Sequence, residues 1–169
     1  MIRLRSLTIT VALLYLGVAL PAGDAVAQQK SLKDQLVGTW TFVSSTTKLP
    51  DGSTAWGTNP KGLLIFTANG YFASQIVRSD LPKFASKNRA QGTPEENKAV
   101  VQGSIATFGT YTVDETKKTY TLKYDGSSFP NRTGIEQARP FTIAGDELKV
   151  SNPATSVGGT SEIVYKRAK

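Results

Sequence analysis

The sequence predicts an all-β fold: roughly eight antiparallel strands closed into an up-and-down β-barrel, with one short inserted helix. Three observations predict it. Short segments rich in β-branched and aromatic residues recur along the chain, turn-forming residues separate most of them, and Asn69-Gly70 lies between two apolar runs. A chain of 169 residues is long enough for one real core and too short for two ordinary domains. A charged fraction of 20% and a hydrophobic fraction of 39% exclude a disordered or collagenous chain.

The first residues form a separate unit. Arg3 and Arg5 precede an apolar stretch from Leu7 to Leu20, broken by Pro21 and Gly23, and Ala25-Val26-Ala27 supplies the small-x-small pattern read by signal peptidase. The apolar core, about fourteen residues, is shorter than the ~20 that a spanning helix needs. The expectation is a signal peptide over residues 1–27 cut after Ala27, a short segment over 28–35, and a barrel domain over 36–169, periplasmic or secreted, with no stable membrane insertion after cleavage. With no cysteine in the chain, neither a lipid-modified cysteine nor a disulfide framework is available. Cleavage removes Arg3, Arg5 and Asp24, one net positive charge of the +7, so the mature protein stays basic. Arg78, Lys83, Lys87 and Arg89 make its densest basic segment, which serves solubility or attracts anions. No nucleic acid partner is expected.

The barrel elements follow in order. Ser31 is a candidate N-cap for a short helix with Leu32 and Leu36 on one face. A first strand runs from Trp40 towards Leu49. Leu63 to Thr67 and Tyr71 to Val77 form a hairpin around Asn69-Gly70, a pair suited to the positive φ of a tight primed turn. Arg78 to Gly92 reads as a polar loop. Thr93-Pro94-Glu95-Glu96 then opens a helix with a capping box and proline at its first position, its apolar face drawn from Ala99, Val100, Ile105 and Ala106. Such a helix plugs the barrel mouth or covers a sheet edge. Five more strands complete the set: Phe108 to Val113, Thr119 to Tyr124, Gln137 to Ala144, Leu148 to Ser151 and Glu162 to Lys166.

Several stretches carry a family resemblance. Gly38-Thr39-Trp40 after a short helix looks like the first lipocalin motif, and NPKGLLIFTANGYFASQIVRSDLPKFAS (Asn59 to Ser86) resembles the lipocalin-like domain family of bacteria and fungi. So do GTPEENKAVVQGSIATFGTYTVDE (Gly92 to Glu115), SSFPN (Ser127 to Asn131) and EQARPFTIAGDELKV (Glu136 to Val150). The likeness spans about Leu36 to Arg167. It implies a small barrel whose Trp40 packs across the closed end, with Gly38 beside it, and no general activity comes with it. In lipocalins an arginine near the end of the last strand packs on that tryptophan. Arg167 occupies the matching place here, and an exposed terminal charge beside Lys166 is the alternative.

The chemistry is narrow. Without His or Cys the usual triads, thiol nucleophiles and nearly all zinc or haem sites are excluded, and no phosphate-binding glycine loop is present. The paired carboxylates Glu95-Glu96, Asp114-Glu115 and Asp146-Glu147 are accounted for by helix capping and turns. No catalytic residue, metal or cofactor is expected. Arg139 stands out, because it shares a strand face with Gln137, Phe141 and Ile143, and a charge on an apolar face needs a partner. Either it bridges Glu136 or a loop carbonyl near the mouth, or it points inward and holds the polar head of a bound molecule. Tyr120, Tyr124 and Tyr111 are candidate companions. Tyr71 and Gln75 join them if their parity faces inward, and Phe72, Ser74 and Ile76 take that place if it does not. The expectation is a carrier of a small hydrophobic molecule, an anionic end being what Arg139 would meet. An enzyme using Tyr and Arg as hydrogen-bond donors, or an envelope protein with a filled core, are the rival readings.

Overall fold

Period-2 alternation decides what the strands keep inside, and in the computed structural model, which describes residues 30–169, it closes on itself without an edge. The expected signal peptide over residues 1–27 and its expected cut after Ala27 lie outside the described residues. The elements are α1 (Leu32–Leu36), β1 (Gly38–Ser45), β2 (Lys61–Phe66), β3 (Tyr71–Val77), α2 (Pro94–Gly103), β4 (Ser104–Asp114), β5 (Thr119–Ser127), β6 (Glu136–Ala144), β7 (Glu147–Asn152) and β8 (Ser161–Arg167). Single 3-10 turns lie at Arg89–Gln91 and Pro130–Arg132. Each strand pairs antiparallel with the next, and β8 returns to β1 to complete an eight-stranded up-and-down barrel.

The two ends differ. At one, α1 lies under the barrel, its N-terminus capped twice: Ser31 Oγ accepts from Asp34 N, and the Glu115 carboxylate accepts from the Leu32 and Lys33 amides. Trp40 is fully buried there and donates from Nε1 to Leu36 O at 2.8 Å. Of the two places open to Arg167, the structure has it over Trp40. The guanidinium carbon is 4.1 Å from the ring centroid, and the two terminal nitrogens donate to the carbonyls of Val37 and Gln35. Gly38 fits here because its φ is +127°, and a Cβ would stand 3.0 Å from Arg167 Nη1. This is the closed end. The mouth at the other end is framed by the loops after β1, β5 and β7 and by α2.

Four local expectations need correction. The turn after β2 is not primed: only Gly70, not Asn69, has positive φ, and Gly70 N donates to Thr67 O while Thr67 N donates to Tyr71 O. That is a longer loop closed by a glycine bulge. The first strand stops at Ser45: after a register shift between Phe42 and Ser44, Thr46 makes a last bond to Glu162 of β8, and Thr47 to Leu49 then pair with Ser53 to Ala55 across Pro50-Asp51-Gly52. Ile105 and Ala106 belong to β4 rather than to the helix. Gly103 ends α2, Ser104 Oγ donates back to Val100 O, and Ile105 pairs with Ile76. The helix itself starts as expected, with both halves of the Thr93/Glu96 capping box formed and Pro94 at the first turn. Since the barrel is closed, α2 has no sheet edge to cover, and it stands at the mouth with Gly103 as its one buried residue.

Candidate functional site

The lower barrel is filled. Phe66 meets Tyr111 and Tyr120 edge-on at 4.7 and 5.2 Å between ring centroids, and Tyr120 lies 5.4 Å from Phe141. Leu148, Val150 and Leu122 close the remaining gaps, each at most 2% exposed. Among the described residues, and apart from the Tyr111 hydroxyl, polar side chains enter the interior towards the mouth. There the register of β5 against β6 pairs Tyr120 with Arg139 and Leu122 with Gln137, so alternation brings the two strands' interior residues side by side.

Arg139 is the centre of that polar layer. It is 7% exposed, and it donates to Gln137 Oε1 through Nε (3.0 Å) and Nη2 (2.7 Å) and to the Tyr124 hydroxyl through Nη2 (2.8 Å). Tyr124 in turn donates to Gln137 Oε1 at 2.9 Å, and Gln137 Nε2 donates to Ala154 O. All these acceptors are neutral. The expected bridge to Glu136 is not made, because β-alternation turns Glu136 outward to solvent while Arg139 points in. Among the described residues the ion pairs are Arg78–Asp80, Lys117–Asp114 and Lys149–Glu147, all at the surface. An arginine cannot shed its proton, so a permanent positive charge sits in the barrel with no counter-charge among the described residues.

A second cation faces it. Arg132, on the 3-10 turn after β5, donates to Ala154 O at 3.2 Å and lies over the Tyr124 ring, 5.5 Å from its centroid. Burial holds its pKa below the ordinary arginine value, and the charge of Arg139 pushes the same way. Both guanidiniums line a cavity of about 40 Å³ that also touches Ser74, Thr107 and Asn152. The Tyr120 hydroxyl is buried in this layer beside Arg139 without a well-formed hydrogen bond. Complete burial raises its pKa to about 12, against the opposing pull of Arg139. At neutral pH it is therefore a hydrogen-bonding group and not a base.

The sequence candidates divide accordingly. Arg139, Tyr124 and Tyr120 come together in the polar layer. Tyr111 faces inward but sits in the closed half, where it donates to Thr67 O at 2.8 Å, and it does not reach the cavity. Tyr71 and Gln75 are corrected. The glycine-bulge turn sets Phe72 opposite the inward Phe66, so Phe72, Ser74 and Ile76 face the interior, and Tyr71, at 53% exposure, and Gln75 face out. Arg132 was missed because Ser127, Ser128, Pro130 and Asn131 signal a turn but not that it folds back over the mouth. Among the described residues no group of His, Cys, Asp or Glu is placed to hold a metal ion.

The described residues thus form a closed eight-stranded antiparallel barrel, sealed by a Trp–Arg stack at one end and carrying a small cationic chamber near the other. The chain matches the lipocalin-like domain family over residues 37–165 and belongs to it. No curated protein matches the sequence. Among solved structures it is similar in fold to a protein described as the REP1-NXSQ fatty acid transporter, at 12% identity and a TM-score of 0.38, covering 80% of this chain and 98% of that one. It is also similar to the fluorescent protein UnaG, at 15% identity and a TM-score of 0.36, with 80% and 98% covered.

Proposed function

We propose that the protein is an exported carrier of a small, largely apolar molecule whose anionic end is held by Arg139. The observation that carries this reading is the unpaired buried cation. Neutral partners satisfy its geometry, yet a charge removed from water without a counter-charge is costly, and a bound carboxylate or similar group would relieve that cost. Arg132 adds a second donor of the same sign from the other side. Selection for stability alone would favour an apolar residue at such a position. Export accounts for the basic, apolar and small-residue pattern of residues 1–27.

The test is native mass spectrometry of the protein isolated from its own cell envelope. The expected result is a mature chain beginning at Gln28 and carrying a small acid, which Arg139→Met loses while its far-ultraviolet spectrum is unchanged. A chain that carries no small molecule, or one whose cargo is retained by Arg139→Met, overturns the carrier reading. An intact Met1 overturns export alone.

A further inference from the structure

The chamber beside Arg139 is too small for the cargo. About 40 Å³ holds roughly three waters, or a carboxylate, whereas sites for drug-sized molecules run to ~300–1,000 Å³. Deeper in the barrel the space is taken by the Phe66, Tyr111, Tyr120 and Phe141 rings. Directly outside the chamber lies a vestibule of about 500 Å³ between the loop after β1, α2, and the loops after β5 and β7. Its walls include Leu49, Trp56, Val100, Ile105, Phe129 and Val157, and no charged side chain lines it. Trp56, Ile105 and Ser156 line both spaces, forming a neck between the apolar vestibule and the cationic chamber. Val101, Phe129 and Val157 on the vestibule walls are 78%, 37% and 41% exposed, which leaves apolar surface open at the mouth.

We infer that the ligand straddles this neck. Its anionic group passes between Trp56 and Ile105 to the two guanidiniums, and its apolar body stays in the vestibule rather than in the barrel. The inference rests on the carrier reading and specifies its cargo: a monoanion with a short flexible stem joined to a compact apolar body, such as a fused ring system. Charge and shape agree on this division, since the uncharged wall is wide and the charged chamber is narrow. A long chain threaded down the barrel has no room, and a ring bearing its acid group directly cannot bring that group past Trp56.

The experiment uses the mature chain and three fluorescent probes: 4-(1-pyrenyl)butyrate, its neutral analogue 4-(1-pyrenyl)butanol, and 1-pyrenecarboxylate, which lacks the stem. The butyrate is expected to bind most tightly, with Arg139→Met weakening it about 100-fold and leaving the alcohol unchanged. The double variant Val101→Ser with Phe129→Ser, at exposed positions that leave the fold intact, is expected to weaken butyrate and alcohol alike by about tenfold. Pyrenecarboxylate should show no dependence on Arg139. If the double variant leaves both probes unchanged while Arg139→Met still weakens the butyrate, the body lies inside the barrel and the straddling inference fails alone. If Arg139→Met has no effect on the butyrate, or if no probe binds, the carrier reading fails with it. Should Arg139→Met not fold, Arg132→Gln at the half-buried turn gives the same comparison, with a butyrate-only loss expected and an unchanged butyrate affinity overturning the head site.

Discussion

Two tyrosines two turns of the pleat apart on β5 should respond oppositely to the loss of one oxygen. Tyr120→Phe removes a buried hydroxyl that has no well-formed hydrogen bond, and an unsatisfied buried polar group costs about 1–3 kcal/mol. The phenylalanine ring keeps the contacts with Phe66 at 5.2 Å and Phe141 at 5.4 Å, so no cavity opens. The nearby guanidinium gains a little from the hydroxyl dipole, which trims the net stabilisation to about 1 kcal/mol, or a rise of about 3 °C in Tm for a barrel of this size. Tyr124→Phe instead deletes the bonds to Arg139 at 2.8 Å and Gln137 at 2.9 Å, one of them to a charged group, and should destabilise by about 2–3 kcal/mol. Urea unfolding followed by circular dichroism reads both, with the midpoint moving up for one variant and down for the other at constant m. A Tyr120→Phe protein as unstable as Tyr124→Phe would show that the hydroxyl is satisfied and that the orphaned-group reasoning is wrong.

Two other perturbations test the frame around the site. Arg167→Ala removes the stack on Trp40 and two bonds to the carbonyls that end α1, and should cost about 2–3 kcal/mol by urea unfolding; a loss below about 0.5 kcal/mol would mean the closed end is held without it. In alkali the sign follows from Tyr120, whose pKa of about 12 when folded exceeds its ordinary 10.0. The native state holds that proton more tightly, so the stability is fully present below pH 10 and is lost as pH rises towards 12, on the order of 2–3 kcal/mol from this group. Burial raises Tyr165 as well, which adds in the same direction. Unfolding midpoints at pH 9 and pH 12 check this, and Tyr120→Phe should flatten the dependence. An equal fall in Tyr120→Phe would assign the alkaline loss to other groups.

The strands were legible because a half-buried pleat writes its period directly into residue type, as Tyr120-Leu122-Tyr124 and Gln137-Arg139-Phe141 show. Which parity faces in was not legible on β3. Both Tyr71-Ala73-Gln75 and Phe72-Ser74-Ile76 mix apolar with polar groups, and the choice hangs on one residue of loop geometry at Gly70. The site was half readable for a related reason. Arg139 declares itself by standing among apolar neighbours on a strand, but Arg132 and Trp56 reach the mouth from irregular segments, where no periodicity links sequence position to direction. The filled lower barrel was equally hidden, since aromatic residues of the right parity describe a packed interior and a lined cavity equally well.

The seam between β1 and β8 sets the order in which the chain can become a protein. The lock on the closed end joins Arg167 to Val37 across 130 positions, so it forms only after β8 has been synthesised. Until β8 arrives, β1 has only β2 as a neighbour and Trp40 lacks its cover, so an incomplete chain has an unpaired strand edge and no sealed core. Contacts this distant in sequence also form slowly once the whole chain is present. Under the export proposed above, such late closure is an advantage: the topology itself delays folding until β8 has crossed with the rest of the chain.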